Sequence, residues 1–470
     1  MIKPSVIKAI REAVGPGACL DAPEDLRCYS YDLYARSFPE LVVLPKDEAE
    51  IVKVLSIAHE ENIPVTPRGA ASSLTGASVP LKGGLSLGLA GMNRILDISS
   101  TDRTARVQPG VVTQVLQQTV ARQGLLYPPD PASSPFCTIG GNVATNAGGP
   151  SGLKYGVTRD YLLGLSLVLP GGDKLVTGGR TLKNVTGYDF THFICGSEGQ
   201  LGVISEVTLR LLPRPETVRT FLVHFASLQA AVDSVTRIMG SGFIPATLEL
   251  MDHFFLQAVD RLYDLGFPKG VRAALLIEVD GSRGQVREAA EVIAGLIQTP
   301  DTLRLEKAER AADREKLWMA RRSGTAALMR DCAFMITLDC TVPVSAIVRA
   351  VQAIHRVAEE QAIQVVLIGH AGDGNLHPMF IYDPEDPVQV QAFSRAEADL
   401  CAMIIDLGGT LSGEHGIGLE KAGFLSLQLS PVQLKLSKCV KRVFDPRLIM
   451  NPGKCEWAEN QTITPPSRIK

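Results

Sequence analysis

The 470-residue sequence has no C-x-x-C pair, no haem-attachment motif and no iron–sulfur binding run, so it carries no recognisable second redox centre of its own. It also lacks G-x-G-x-x-G, which argues against a Rossmann dinucleotide site. There is no basic block, and the net charge is −3; nothing points to nucleic acid or an acidic membrane surface. Apolar stretches such as Ile363–Ile368 and Ala273–Ile277 fall far short of the roughly 20 residues that cross a bilayer. Met1 to Val14 carries charges throughout and shows no signal-peptide hydrophobic region. The nine cysteines are odd in number, so reduced thiols and a cytoplasmic location are expected.

What is present is an ordinary globular composition, 45% hydrophobic and 21% charged, in a chain too long for one core. The first ~210 residues are glycine-rich and alternate strands with helices. Asp47 reads as an N-cap with Glu50 completing a capping box, and Ile51, Val52, Leu55 and Ala58 keep helical spacing up to Asn62. Val65 to Pro67, Leu162 to Leu169 and Val203 to Leu212 read as strands. Val111 to Gln123 reads as a helix closed by Gly124. Pro213 to Pro215 reads as a boundary, followed by an α+β region with strands at Leu275–Val279 and Val365–Ile368. A helix is expected over 390–407, a loop over Phe444 to Lys454, and a frayed tail over Thr462 to Lys470.

Two loops are rich in small residues, Pro67 to Gly76 and Cys137 to Gly149. Such backbones approach a pyrophosphate closely and offer clustered N–H groups in place of a basic patch. Either loop alone reads equally well as a surface turn. Of the eight histidines, three fall in two short motifs: His370 and His377 in His-Ala-Gly-Asp-Gly-Asn-Leu-His, and His415 in Ser-Gly-Glu-His-Gly-Ile-Gly. A strand, a turn at Asp373-Gly374-Asn375 and a returning strand would bring both imidazoles to one sheet end. With Glu414 they form a three-ligand set for Zn²⁺, Mn²⁺ or Fe²⁺. The bland alternative is a group of satisfied structural histidines.

The two loops, with Lys154 to Asp160 and Gly196 to Ile204, resemble the FAD-binding domain of the vanillyl-alcohol-oxidase superfamily, the p-cresol methylhydroxylase (PCMH) type. The resemblance implies FAD contacts at Pro67, Arg68, Gly69, Ala70, Ser72, Ser73, Leu74, Thr75 and Gly76. It implies further contacts at Pro131, Thr138, Gly140, Gly141, Asn142, Thr145, Asn146, Gly148, Gly149, Tyr155, Gly156, Val157 and Asp160. Glu198, Gly202, Val203, Ile204 and Asn451 complete the set. Ala70, Ala71 and Ser72 stand where covalent members carry a histidine, so a non-covalent FAD is implied.

Residues His370 to His377, Gly408 to Lys421 and Phe444 to Lys454 resemble the C-terminal domain of FAD-linked oxidases, in the group of glycolate oxidase D subunits and D-lactate dehydrogenases. The resemblance implies an α+β architecture: a two-subdomain FAD-binding domain over 1–213, a substrate domain over 214–424, and a segment over 425–470 returning to the first. It implies His370, His377 and Glu414 as metal ligands, His415 as general base and Arg321, following Trp318, as the partner of a substrate carboxylate. Thr325 lies one turn further on that helical face; a solvated helix charge is the alternative for Arg321. The implied reaction is oxidation of a small D-2-hydroxy acid, glycolate or D-lactate, with electrons passed to an iron–sulfur subunit or an electron-transfer flavoprotein. A homodimer is compatible with it, as is contact with a membrane through the partner. Members that use dicarboxylates carry a lysine in the strand before Asp339, whereas here no lysine occurs between Lys316 and Lys421. Rival readings are 2-hydroxyglutarate oxidation, a non-catalytic electron-relay flavoprotein, and a nicotinamide-dependent reductase on the same fold.

Overall fold

The computed structural model describes residues 1–332 and 334–455; the tail expected to fray lies outside them. The described chain forms two compact units, one of Met1–Gly148, Val157–Arg214 and the segment from Glu414, the other of Gly149–Gly156 and Pro215–Gly413.

The first unit opens with a sheet of β1 (Cys19–Leu20), β2 (Leu41–Val43), β3 (Val65–Arg68) and β4 (Leu85–Gly88), in the order β1-β2-β4-β3. β2 and β3 both run parallel to β4. A five-stranded antiparallel sheet contains β5 (Ile95–Ser99) and β6 (Thr104–Val107), and a small ladder joins β7 (Leu125–Leu126) to a strand described below. β8 (Leu162–Val168), β9 (Lys174–Gly178) and β10 (Val203–Arg210) complete the order β5-β6-β10-β8-β9, and β11 (Leu212–Pro213) pairs β7. Helices Pro4–Val14 and Glu48–Glu60 bury Val6, Ile10, Ile51, Val54 and Leu55 against Leu41, Val43, Val65, Leu85 and Leu87. The chain returns at its far end to put Ile449 and Met450 into the same core. Val65 N–H donates to Ile449 O at 2.8 Å and Asn451 N–H to Val65 O at 2.7 Å.

Local signals in the sequence map onto this unit with small shifts. Asp47 caps its helix by accepting Glu50 N–H at 2.9 Å. The reciprocal bond from Glu50 reaches Lys46 N–H at 2.9 Å, one residue earlier than a capping box requires. The helix expected from Val111 starts at Thr113, because Val112 is held extended by a bridge to Thr138. It ends at Ala121, and Gly124 takes φ +74° just beyond.

The second unit is built on an eight-stranded antiparallel sheet. Its strands are β12 (Thr217–Phe225), β13 (Thr247–Asp252), β14 (Ala273–Gly281), β15 (Thr302–Ala308), β16 (Met335–Thr337), β17 (Cys340–Thr341), β18 (Gln364–His370) and β19 (Asn375–Ile381). The order is β15-β12-β14-β13-β18-β19-β16, with β17 also on β19. Both faces are covered, so the strands read as nearly continuous apolar runs rather than alternating ones. Leu248, Leu250, Leu275, Ile277, Val365 and Leu367 pack to one side with helices Leu228–Met239, Arg283–Leu296, Ile347–Glu360 and Pro387–Asp406. Met251, Ala274, Leu276, Val366, Ile368 and Met379 face the other side, under helices His253–Tyr263 and Ala311–Asp331. Gly324 lets those two helices touch: a Cβ there would lie 1.8 Å from the Phe255 ring.

Candidate active site

The period-2 alternation of strands fixes which residues share a face. Glu249 has the parity of Met251, His370 that of Ile368, and His377 that of Met379, so all three lie on the sheet face covered by His253–Tyr263 and Ala311–Asp331. Glu249 and His370 are direct cross-strand partners between β13 and β18. His377 pairs with Ile368, one step along the β18–β19 hairpin, and Gly374 makes the turn with φ +81°. The two imidazoles end 5.0 Å apart, nearly perpendicular at 85°. His370 Nδ1 is 2.6 Å from Glu249 Oε1. The other oxygen, Oε2, accepts Arg321 Nε–H at 2.8 Å from the Ala311–Asp331 helix. Burial alone would raise the Glu249 pKa, but the charges and hydrogen bonds of His370 and Arg321 outweigh it and hold it below the usual glutamate value. Thr325, one turn on from Arg321, is exposed.

A second buried carboxylate, Asp339, sits behind His377, with Oδ1 3.8 Å from the ring Nδ1. Its Oδ2 accepts Ser412 Oγ–H at 2.7 Å and Gly413 N–H at 2.8 Å. Gly413 is pressed so closely onto Asn375 and Thr341 that a Cβ would lie 2.0 Å from Asn375 Nδ2 and 2.1 Å from Thr341 Oγ1. The loop entering Glu414 is therefore pinned by its last residue in this unit.

In the first unit the two glycine-rich loops meet: a Cβ on Gly69 would lie 2.5 Å from Thr138 Oγ1. From Gly69 to Leu74, no backbone N–H donates a hydrogen bond among the described residues, although the stretch is mostly part-buried. A run of uncommitted N–H groups with Ala71 at φ +55° is suited to an anion such as a pyrophosphate. Thr138 caps the helix Ile139–Thr145 by accepting Gly141 N–H, and Asn146 closes it in the left-handed region. Several residues expected at the cofactor have bonds elsewhere in the protein. Arg68 donates to the carbonyls of Cys28, Tyr31 and Ser78. Asn142 donates to Thr113, Asp160 accepts from Val157 N–H, and Asn451 donates to Ala77 O and Glu198 O. Gly149, Tyr155 and Gly156 belong to the second unit, where the Tyr155 hydroxyl donates to Asp280 at 2.7 Å. Gly202 precedes β10, and Val203 and Ile204 are its first two residues.

The same unit holds the loop of His415. Glu198, buried, accepts Ile417 N–H at 2.8 Å and Gly418 N–H at 2.9 Å. Burial pushes the Glu198 carboxyl pKa up despite those two amides. Leu419 N–H donates to Thr75 O at 2.7 Å, tying the loop to the first glycine-rich segment. A Cβ on Gly148 would lie 2.6 Å from Glu414 Oε2, so a glycine there admits that carboxylate.

Sequence reasoning missed Glu249 altogether and saw Asp339 only as part of a motif. The signal for Glu249 was a single acidic residue inside Thr247-Leu248-Glu249-Leu250-Met251; a charge in a buried apolar strand needs partners.

Comparison with known proteins defines the class. Residues 214–455 match the family model "FAD linked oxidases, C-terminal domain" and residues 39–178 match "FAD binding domain". The chain belongs to the FAD-linked oxidases and is an FAD-dependent oxidoreductase. It is similar to the glycolate oxidase subunit GlcD of Bacillus subtilis, 40% identical with 97% of each chain covered. It is also similar to a D-lactate dehydrogenase of Anaerostipes hadrus, 33% identical over 96% of this chain and 97% of the relative. Among solved structures, p-cresol methylhydroxylase shares the fold with a TM-score of 0.76 at 17% identity, covering 96% of each chain.

Proposed function

We propose that the chain oxidises a small 2-hydroxy acid, glycolate or D-lactate, to the 2-keto acid, using non-covalently bound FAD and one divalent cation. The observation that carries this reading is the convergence of His370, His377 and Arg321 on one sheet face around Glu249. Two imidazoles suit a divalent cation, and a guanidinium suits a carboxylate. His370, His377 and Glu414 are the proposed ligands of Zn²⁺, Mn²⁺ or Fe²⁺. Glu414 directly follows the Gly413 amide that Asp339 anchors.

When bound, FAD would take the hydride of the substrate α-carbon and the cation would polarise its α-hydroxyl. Arg321 pairs with the substrate carboxylate and orients it, with Thr325 one turn away. His415 accepts the hydroxyl proton. Glu198 keeps the His415 loop in place through the amides of Ile417 and Gly418. Ala70, Ala71 and Ser72 offer no histidine for a covalent flavin link. The relatives named as a glycolate oxidase subunit and a D-lactate dehydrogenase support the substrate class. The first is named as a subunit, which supports transfer of electrons to a partner protein: an iron–sulfur subunit or an electron-transfer flavoprotein.

Elemental analysis of the purified holoenzyme tests the cation. The expected result is about one ion per chain and loss of activity on chelation, restored by adding the ion back. No bound ion together with full activity after chelation would sink this part of the reading.

A further inference from the structure

We propose that Glu249 is a positioning residue that joins the cation site to the substrate-carboxylate site and sets both. The inference rests on the function proposed above and deepens it. Glu249 is fully buried in a strand whose neighbours Leu248, Leu250 and Met251 are apolar. An ionised carboxylate is costly there unless both oxygens are bonded. Both are: Oε1 lies 2.6 Å from His370 Nδ1 and Oε2 lies 2.8 Å from Arg321 Nε. The three groups come from β13, β18 and the helix Ala311–Asp331, so the contact is made only in the folded unit.

Two consequences follow from the chemistry of the partners. A carboxylate accepting from Nδ1–H fixes the His370 tautomer with its lone pair on Nε2, the nitrogen that would hold a cation. Arg321 is gripped through Nε alone. Its Nη groups make no hydrogen bond among the described residues. That edge of the fork can take a substrate carboxylate in bidentate fashion. One side chain thus orients a metal ligand with one oxygen and the anion clamp with the other, so the spacing between cation and substrate carboxylate depends on it.

The test uses holoenzyme with Glu249→Gln, which keeps the shape but offers a single acceptor oxygen. Zn²⁺ or Mn²⁺ is titrated into metal-stripped holoenzyme by calorimetry. The Kd of pyruvate or glyoxylate is read from the flavin absorbance. The expected result is unchanged FAD content, an ion affinity lower by about 10–100-fold, and a keto-acid Kd higher by about tenfold or more. Glu249→Asp keeps the charge but is one methylene too short to hold both partners, so it should recover one of the two constants at most. It carries the same test if the Gln variant does not fold. A purely structural Glu249 would lower Tm and leave both dissociation constants within about twofold of wild type; that result overturns the proposal. A wild-type enzyme that takes up no ion counts against the metal reading of the function. The keto-acid Kd then still decides on Glu249, and an unchanged value in both variants overturns it.

Discussion

His415 occupies a loop with almost no conformational slack. Gly416 at φ +92° and Gly418 at φ +50° take backbone conformations that side chains rarely adopt. Added Cβ atoms there would lie 2.9 Å from Glu198 Oε1 and 2.3 Å from Thr75 O. The loop is therefore shaped by its glycines and held by Glu198. His415→Ala should leave the fold and the FAD content intact and lower kcat by about 10²–10⁴-fold, as removal of a general base does. Steady-state kinetics with the flavin absorbance ratio checks this; near-normal turnover would move the base elsewhere. Among the site residues, Glu249 was the one the sequence did not reveal. His370, His377 and Glu414 stand in compact, glycine-flanked motifs that advertise them. Glu249 is 121 positions from His370 along the chain, and only strand pairing brings the two together.

The hairpin of β18 and β19 was legible as an element because Asp373-Gly374-Asn375 announces its turn and apolar runs flank it. Its neighbour β13, which supplies Glu249, carried no such signal, because a strand buried on both faces does not alternate apolar with polar. The helix limits moved by a few residues for local reasons, such as the bridge that keeps Val112 extended. Burial in this sheet also has a pH signature. His224 on β12 is fully buried, and neither ring nitrogen has a hydrogen-bond partner among the described residues. Burial first, then the charge of Arg304, lowers its pKa from 6.5 to about 4. The unfolded chain takes up this proton below about pH 6.5, while the folded protein resists it until about pH 4. Stability should fall as pH drops through that window, by up to about 1.4 kcal/mol per pH unit from this group. His224→Leu should flatten that part of the profile. Denaturant titrations at pH 7, 5.5 and 4.5 check it, and equal slopes for both proteins would refute the assignment.

For the whole molecule, the question is where the electrons go. Reduced flavin must be reoxidised in each turnover, and the sequence provides no C-x-x-C cluster and no haem motif. Among the described residues, no helix is long and apolar enough to cross a membrane. A protein acceptor predicts slow turnover with oxygen alone and much faster turnover with an artificial dye. Stopped-flow reoxidation decides between them: oxygen returning the flavin as fast as substrate reduces it would remove the need for a partner.

Substrate size bears on the same reductive step. The lysine that the family resemblance implies opposite a second carboxylate is missing, and Arg322 and Arg330 form exposed pairs with Glu315 and Asp331. Burying an unpaired carboxylate costs several kcal/mol, so 2-hydroxyglutarate should be a poor substrate. The most direct measurement is anaerobic mixing of the FAD holoenzyme with glycolate, D-lactate and 2-hydroxyglutarate while the flavin absorbance is followed. Glycolate or D-lactate should bleach the flavin rapidly and 2-hydroxyglutarate much more slowly. A flavin that stays oxidised with both small acids, or bleaches fastest with 2-hydroxyglutarate, would contradict the proposed function.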